Sequence, residues 1–307
     1  MASQDVLGPK PPLMAAKPLI AGISDSTLSL IVPVVVHWLT AAVYELFQRF
    51  NLFQQYRIHT SNEEGARNTI SRLECLRGVL VVQALQTGLG LVLGAFRGHN
   101  VFNSSSWGLD VKALVFITPF LAEHELELLA KLFHGLMPAL RFYTALWLAD
   151  TWVFFIHRAE HRNQWLYKSF HARHHELYVP YSWGGIYDHP VESLFLSVGA
   201  FAVAVAGTGM SLRESIFFSG FSSAKACTDH GGYRFPWNPV DLVTTVDAAY
   251  HDKHHQRWGF KKNFALHFRF WDRLLGTELA DADAARLYAR DREAAERVEK
   301  RDRVKSL

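Results

Sequence analysis

Two stretches of the chain are apolar for the full thickness of a bilayer. Residues 27–47, TLSLIVPVVVHWLTAAVYELF, and 76–96, LRGVLVVQALQTGLGLVLGAF, each carry about 20 mainly apolar residues, the length a helix needs to cross roughly 30 Å of hydrocarbon. A third apolar segment, from about Leu140 to Ile156, leads directly into the motif HRAEH. A fourth covers Ser193 to Cys227 and is broken at AGTGMSLRES. That break predicts two short helices joined across Gly207 to Glu214, a hairpin that enters and leaves by one face and keeps the histidines on either side of it together. The expected class is all-α, an integral membrane helical bundle. Its boundaries are an N-terminal tail over 1–26, a membrane-embedded domain over 27–279 and a charged C-terminal tail over 280–307.

Composition agrees with the pattern. Apolar residues make up 49% of the 307, and 22 Phe and 9 Trp exceed the usual load of a soluble domain. The formal charge of +3 is too balanced for a nucleic-acid footprint, so no nucleic-acid partner is expected. Cys75 and Cys227 are the two cysteines, with no CxxC, which excludes a disulfide framework and a thiolate zinc site. The first 26 residues lack the basic start and apolar core of a cleaved signal, so the first span reads as a retained anchor. Arg49, Arg57, Arg67, Arg72 and Arg77 crowd the segment between the first two spans, which predicts that this loop and the histidine motifs face the cytosol. The glycosylation pattern NSS at Asn103 then falls on the opposite side. His37 interrupts the first span and reads as a polar packing residue. The terminal RVKSL is at most a weak targeting signal.

The chemistry lies in the histidines. Ten of the 16 fall within about a hundred residues: His157 and His161 in HRAEH, His171, His174 and His175 in HARHH, His189 in YDHPVE, His230 in TDHGG, and His251, His254 and His255 in HDKHH. On a helix, positions three or four apart share a face, so each short motif is expected to aim its imidazoles at one spot. Ten clustered imidazolium ions would repel one another, and ten buried neutral rings without partners would waste hydrogen bonds, so metal ligation is the better account. One ion takes about four to six ligands, so ten predict two ions with positions left for water or dioxygen. Imidazole alone does not choose among zinc, copper, iron and nickel. The flanking apolar spans admit a lipid chain, and attack on an unactivated carbon–hydrogen bond calls for a redox metal with dioxygen, which favours two irons.

The order HRAEH, HARHH, DHPVE, DHGG, HDKHH resembles the fatty acid hydroxylase and sterol desaturase superfamily of membrane di-iron oxygenases. The strings LYKSFHARHHELYVPYSWGGIYDHPVE and AYHDKHHQRWGFKKNFALHFRFWDRLLGTEL, with YRIHTSNEE and RNTISRLECLR upstream, are most similar to the sphinganine 4-hydroxylases of fungi and plants, over about residues 40–279. The resemblance implies hydroxylation at carbon 4 of sphinganine or dihydroceramide in the endoplasmic reticulum membrane, with the ten histidines as ligands of a di-iron centre. It also implies electrons from NADPH through cytochrome b5 or a similar carrier. The chain has neither a glycine-rich dinucleotide fingerprint nor a heme motif, so a separate electron-donor protein with its reductase must dock.

Glu160, Asp188, Glu192, Asp229 and Asp252 stand beside ligand positions and are candidates to orient imidazoles. Asp150, seven residues before His157 and two turns away, is a candidate to orient a ligand or meet a sphingoid head group. An interfacial helix cap reads the same way. Trp152, Phe154, Phe155, Tyr178, Tyr181 and Trp183 are candidates to line an acyl-chain path, with core packing the commoner fate. Holding one methylene within about 3–3.5 Å of the oxidant decides the site of attack. Hydroxylation and desaturation differ in whether a second hydrogen leaves, and no residue separates them. Sterol desaturation, fatty acyl 2-hydroxylation, a sphinganine-analogue pathway, or a non-catalytic metal-binding protein remain alternatives.

Overall fold

A computed structural model describes residues 17–59, 63–64, 67–97 and 122–305. Asn103, the first sixteen residues and the last two of RVKSL lie outside the described residues. The longer helices are α1 (Asp25–Arg49), α2 (Arg72–Arg97), α3 (Glu123–Arg162), α4 (Pro190–Thr208), α5 (Leu212–Asp229), α6 (Ala248–His255) and α7 (Asp281–Lys305). Short helical turns fill the connections, and no β-strand occurs among the described residues. The all-α expectation holds. Three of these helices are long and apolar enough to cross a membrane, Asp25–Arg49, Arg72–Ala95 and Pro190–Thr208.

Local sequence sets the helix ends. Ser24 accepts a hydrogen bond from the Thr27 N–H at 3.1 Å, and Asp25 adds a favourable charge to the first turn of α1. Past Arg49 the chain turns through left-handed Asn51 and Phe53, which stops α1. The break expected between 207 and 214 is present, but it separates helices of 19 and 18 residues and not two short ones. α4 ends on left-handed Gly209, and Ser211 and Glu214 exchange side-chain and backbone hydrogen bonds to start α5. The third apolar segment belongs to a longer helix than its composition outlines. At 40 residues α3 is about 60 Å long, twice the hydrocarbon thickness.

Two charge pairs mark the end of the bundle away from the histidines. Arg213, at the start of α5, meets Asp25 at 2.8 Å, and its neighbour Glu214 meets Arg141 of α3 at 3.3 Å. From that level α1, α3 and α5 run to the opposite end, where His157, His161 and His230 sit, and α4 starts from the same end. The α1–α2 connection closes over it, with Ile58 N–H bonded to the Gly232 carbonyl at 2.9 Å and Arg234 N–H to that of Tyr56 at 2.8 Å. The arginine-rich loop and the histidines therefore share one end of the bundle.

Exposure separates the lipid-facing surface from the core. On α1, Ile31, Val35, Leu39, Val43 and Leu46 form an exposed stripe at helical spacing, and Leu132, Leu136, Leu140, Tyr143 and Trp147 do the same on α3. Inside, Ala145, Leu146, Ala149 and Val153 of α3 pack against Ala200 and Ala204 of α4 and Phe218 of α5. A second cluster, Phe154, Val246, Tyr250, Phe264 and Ala265, ties α3 to α6 and to the segment after it. Of the aromatic residues considered for a chain path, Phe154 and Tyr181 are core, and the Trp152 indole donates to the Phe195 carbonyl at 2.7 Å. His37 is buried, with Nδ1 at 3.2 Å from Cys227 Sγ, as a packing residue. The connection before α4 approaches α5 closely. A Cβ on Gly185 would stand 2.5 Å from the Ala226 carbonyl oxygen, whereas one on Gly94 would meet nothing within 4 Å. Gly185→Ala is expected to cost about 1–3 kcal/mol in thermal unfolding in detergent, and Gly94→Ala to leave the midpoint near wild type.

Candidate metal centre

Nine of the ten motif histidines converge, and they do so as two groups. His157, His161, His171, His175 and His254 form one, and His174, His230, His251 and His255 the other; within each, the potential ligand atoms lie within 4.8 Å of one another. The groups share a wall, with the rings of His175 and His255 centred 5.1 Å apart. The expectation that each short motif serves one spot needs correcting. HARHH sends His171 and His175 to the first group and His174 to the second, while HDKHH sends His251 and His255 to the second and His254 to the first. Helix geometry explains the second motif: at 100° per residue, residues four apart diverge by about 40° whereas residues 254 and 255 point about 100° apart. In the first motif His171 closes a π-helical turn, Tyr167–His171, and His174 opens a 3₁₀ turn, His174–Glu176. Such turns are common at functional sites because they re-aim side chains.

The tautomers are set by the backbone. His157 Nδ1 lies 3.0 Å from the Phe264 carbonyl oxygen, His254 Nδ1 2.7 Å from that of Lys262, and His230 Nδ1 2.8 Å from that of Ala226. A carbonyl only accepts, so each Nδ1 carries the proton and each Nε2 presents a lone pair. His171 Nδ1 faces the Glu192 carboxyl at 2.5 Å, a short contact in which either group can carry the proton. Yet the Nε2 atoms point at each other. His157 and His171 are separated by 3.1 Å, His171 and His175 by 3.0 Å, and His175 by 3.1 Å from both His161 and His254. In the second group His251 stands 3.1 Å from both His230 and His255. Lone pairs facing at this range repel unless a proton or a cation lies between them. Imidazole nitrogens at about 2.1 Å from an ion stand about 3.0 Å apart at a right angle and about 3.4 Å apart in a tetrahedron. The residues thus fit two cations in five- and four-nitrogen settings, both with separations closer to octahedral edges than to those of a tetrahedron. Burial, reinforced by neighbouring rings, holds His171, His175, His251, His254 and His255 well below the ordinary imidazole range and His230 down to about 3. They are neutral at neutral pH, as a metal-ligating imidazole must be.

His189 is outside both groups. It caps α4, its Nδ1 accepting from the Val191 N–H at 3.2 Å. Asp150 does not touch an imidazole either. Its Oδ1 gathers the N–H groups of Leu266, His267 and Phe268 at 2.9, 2.6 and 3.3 Å. It therefore acts on His157 indirectly, by fixing the segment that carries the Phe264 carbonyl. Asp272 holds the same segment from the other side, accepting from Phe264 and Ala265 N–H and from the Tyr250 hydroxyl of α6. Among the flanking carboxylates, Glu192 meets His171, and Asp188 lies 3.0 Å from His174 Nδ1. Glu160 is more distant, 3.7 Å from His171 Nδ1. Asp229 instead pairs with buried Lys225, and Asp252 with His59.

The model of the family described as fatty acid hydroxylase matches residues 142–277. The chain is 34% identical to the sphingolipid C4-hydroxylase sur2 of Schizosaccharomyces pombe, over 82% of this chain and 87% of the relative. It is 35% identical to SUR2 of Saccharomyces cerevisiae, over 84% and 73%, and 37% identical to sphinganine C4-monooxygenase 1 of Arabidopsis thaliana, over 83% and 88%. The chain belongs to the fatty acid hydroxylase family. No solved structure matches it.

In this family member α6, which carries His251, His254 and His255, is braced by residues that spacing alone did not mark. His59, from YRIHTSNEE, places Nε2 2.9 Å from both oxygens of Asp252, which lies between the clustered His251 and His254. Tyr288 of α7 donates to the same carboxylate, and the Trp258 indole donates to Asp291 of α7 at 3.0 Å. The charged C-terminal helix is thus anchored to the centre's outer wall at its first turns. The signal for His59 was its carboxylate-rich neighbourhood, but its partner is 193 residues away. Burial alone would lower the His59 pKa; the Asp252 and Glu63 carboxylates override it and raise the value to about 9. A raised folded pKa means stabilisation that is complete below the unfolded value of 6.5 and lost as pH climbs through about 9. Thermal midpoints measured from pH 6 to 10 should therefore decline across that window, and His59→Gln should flatten the decline while lowering the midpoint at pH 6.

Proposed function

We propose that the chain is a membrane di-iron monooxygenase that hydroxylates carbon 4 of sphinganine or dihydroceramide. The observation that carries this reading is the pair of adjoining Nε2 clusters at one end of a bundle with lipid-facing helices, in a chain similar over most of its length to proteins named for that hydroxylation. His157, His161, His171, His175 and His254 would hold one iron, and His174, His230, His251 and His255 the other. Bound there, the two irons supply the activation of dioxygen. The chain's own part is to present neutral nitrogen ligands in one tautomer, to keep them 0–7% exposed and so away from bulk water, and to hold them through Asp150, Asp272 and Glu192. His189 is read as a cap whose loss would tilt α4.

The remaining assignments follow the same reading. NADPH-derived electrons would arrive through cytochrome b5 or a similar carrier at the end closed by the arginine-rich loop. That end would face the cytosol from the endoplasmic reticulum membrane, in keeping with the crowding of arginines there. Expression in cells lacking their own sphingoid 4-hydroxylase should restore 4-hydroxylated long-chain bases by mass spectrometry, and His174→Ala should abolish them. A desaturated sterol or a 2-hydroxylated acyl chain in their place would overturn the substrate assignment. Elemental analysis gives a separate readout: two irons per wild-type chain, and about one each for His161→Ala and His230→Ala, which remove a ligand from different groups. Equal loss of both metals in either variant would mean that the two groups are not separate sites.

A further inference from the structure

At the histidine end of α3, the helix face turned away from the ligands carries a surface pocket of about 540 Å³ that the oxidation does not use. Its lining combines Arg158, Arg162, Asn163 and Gln164 with apolar Phe155 and Leu166. Among the described residues no carboxylate pairs with either arginine, and Arg158 Nε is buried without a hydrogen-bond partner. Asn163 already uses its side-chain oxygen to accept from the Trp165 and Leu166 N–H groups, which leaves its amide NH₂ to donate. The pocket is therefore rich in donors and positive charge and contains no acid. That chemistry selects an anion, and two guanidinium forks match phosphate oxygens.

The surroundings say where the anion comes from. The exposed apolar stripe of α3, Leu136, Leu140, Tyr143 and Trp147, is interrupted where Trp271 covers Thr151 and Phe154 is core, and apolar exposure resumes at Phe155 beside Arg158 and Arg162. The helix thus sets an exposed ring next to two cations at its histidine end. Trp165, 65% exposed just past the pocket, has the placement of an interfacial anchor. A soluble phosphate has no use for the apolar half, and a protonated long-chain amine would be repelled by the guanidinium pair. We propose that this pocket binds the phosphate of an anionic phospholipid from the surrounding leaflet. The bound lipid would clasp the last turns of α3, which carry His157 and His161, so the stability of the folded centre would depend on membrane composition. This inference is independent of the reaction assigned above.

The test uses the full chain in nanodiscs of phosphatidylcholine, with and without a fraction of phosphatidylserine. The wild-type thermal midpoint should rise by a few degrees with phosphatidylserine and stay unchanged when inorganic phosphate is added to phosphatidylcholine discs. R158Q/R162Q should fold in phosphatidylcholine and lose the rise. No rise for wild type, an equal rise for the double variant, or the same rise with inorganic phosphate would each overturn the proposal. If the double variant does not fold, a photoactivatable phosphatidylserine on wild-type protein decides. Crosslinks mapping to the peptide spanning 155–166 support the site, and crosslinks confined to other segments overturn it.

Discussion

The facing of imidazole lone pairs is the constraint on which this protein's architecture rests. Main-chain carbonyls at 226, 262 and 264 take the Nδ1 protons of three rings, so the Nε2 atoms of His230, His254 and His157 arrive bare, each 3.1 Å from the Nε2 of a neighbouring ring. Such crowding needs a shared proton or a cation between the rings, and it presents nitrogen lone pairs in a fixed tautomer. Everything packed around it supplies rigidity. Asp150 and Asp272 hold the segment 264–268, which positions the carbonyl for His157, and Tyr250 links Asp272 back to the helix that carries His251, His254 and His255.

This arrangement places unlike demands on the two ends of the bundle. Far from the histidines, surface-facing leucines and valines and a few ion pairs are enough, since lipid tails complete the packing. At the histidine end, buried carboxylates, carbonyls and a cationic imidazole are paired across distant parts of the chain, as with His59 and Asp252. Each such group is costly to bury alone, so the set is stable only when complete. α3 couples the two ends. It is continuous from an exposed apolar stripe to His157 and His161, and its outer face carries Arg158 and Arg162 at the histidine end.

Much of the outline was legible in order and spacing. Apolar runs of about 20 residues marked α1 and α2, and the Gly-Ser break marked the turn between α4 and α5. The histidine motifs named the nine imidazoles that converge. Less legible were residues whose role depends on a partner far along the chain. Asp150 looked like a ligand-orienting or head-group residue and instead collects three backbone N–H groups from 266–268. His189 has the sequence of a ligand but the geometry of a cap, because the proline after it starts a helix that leaves the site. Asp229 and Asp252 sit beside ligands in sequence, yet their carboxylates turn to Lys225 and His59.

The sequence by itself determined the helical class, the first two apolar spans and the histidines that converge, because these depend on local hydropathy and on side-chain chemistry. The tertiary structure alone decided how the donors divide. A motif read along one helix appears to serve a single centre, but a π-helical turn in one segment and a 100° step between adjacent residues in the other split each trio between two groups. Which carbonyl takes which proton, and which carboxylate braces which helix, are matters of through-space distance, and distance between remote residues is set only when the chain is folded.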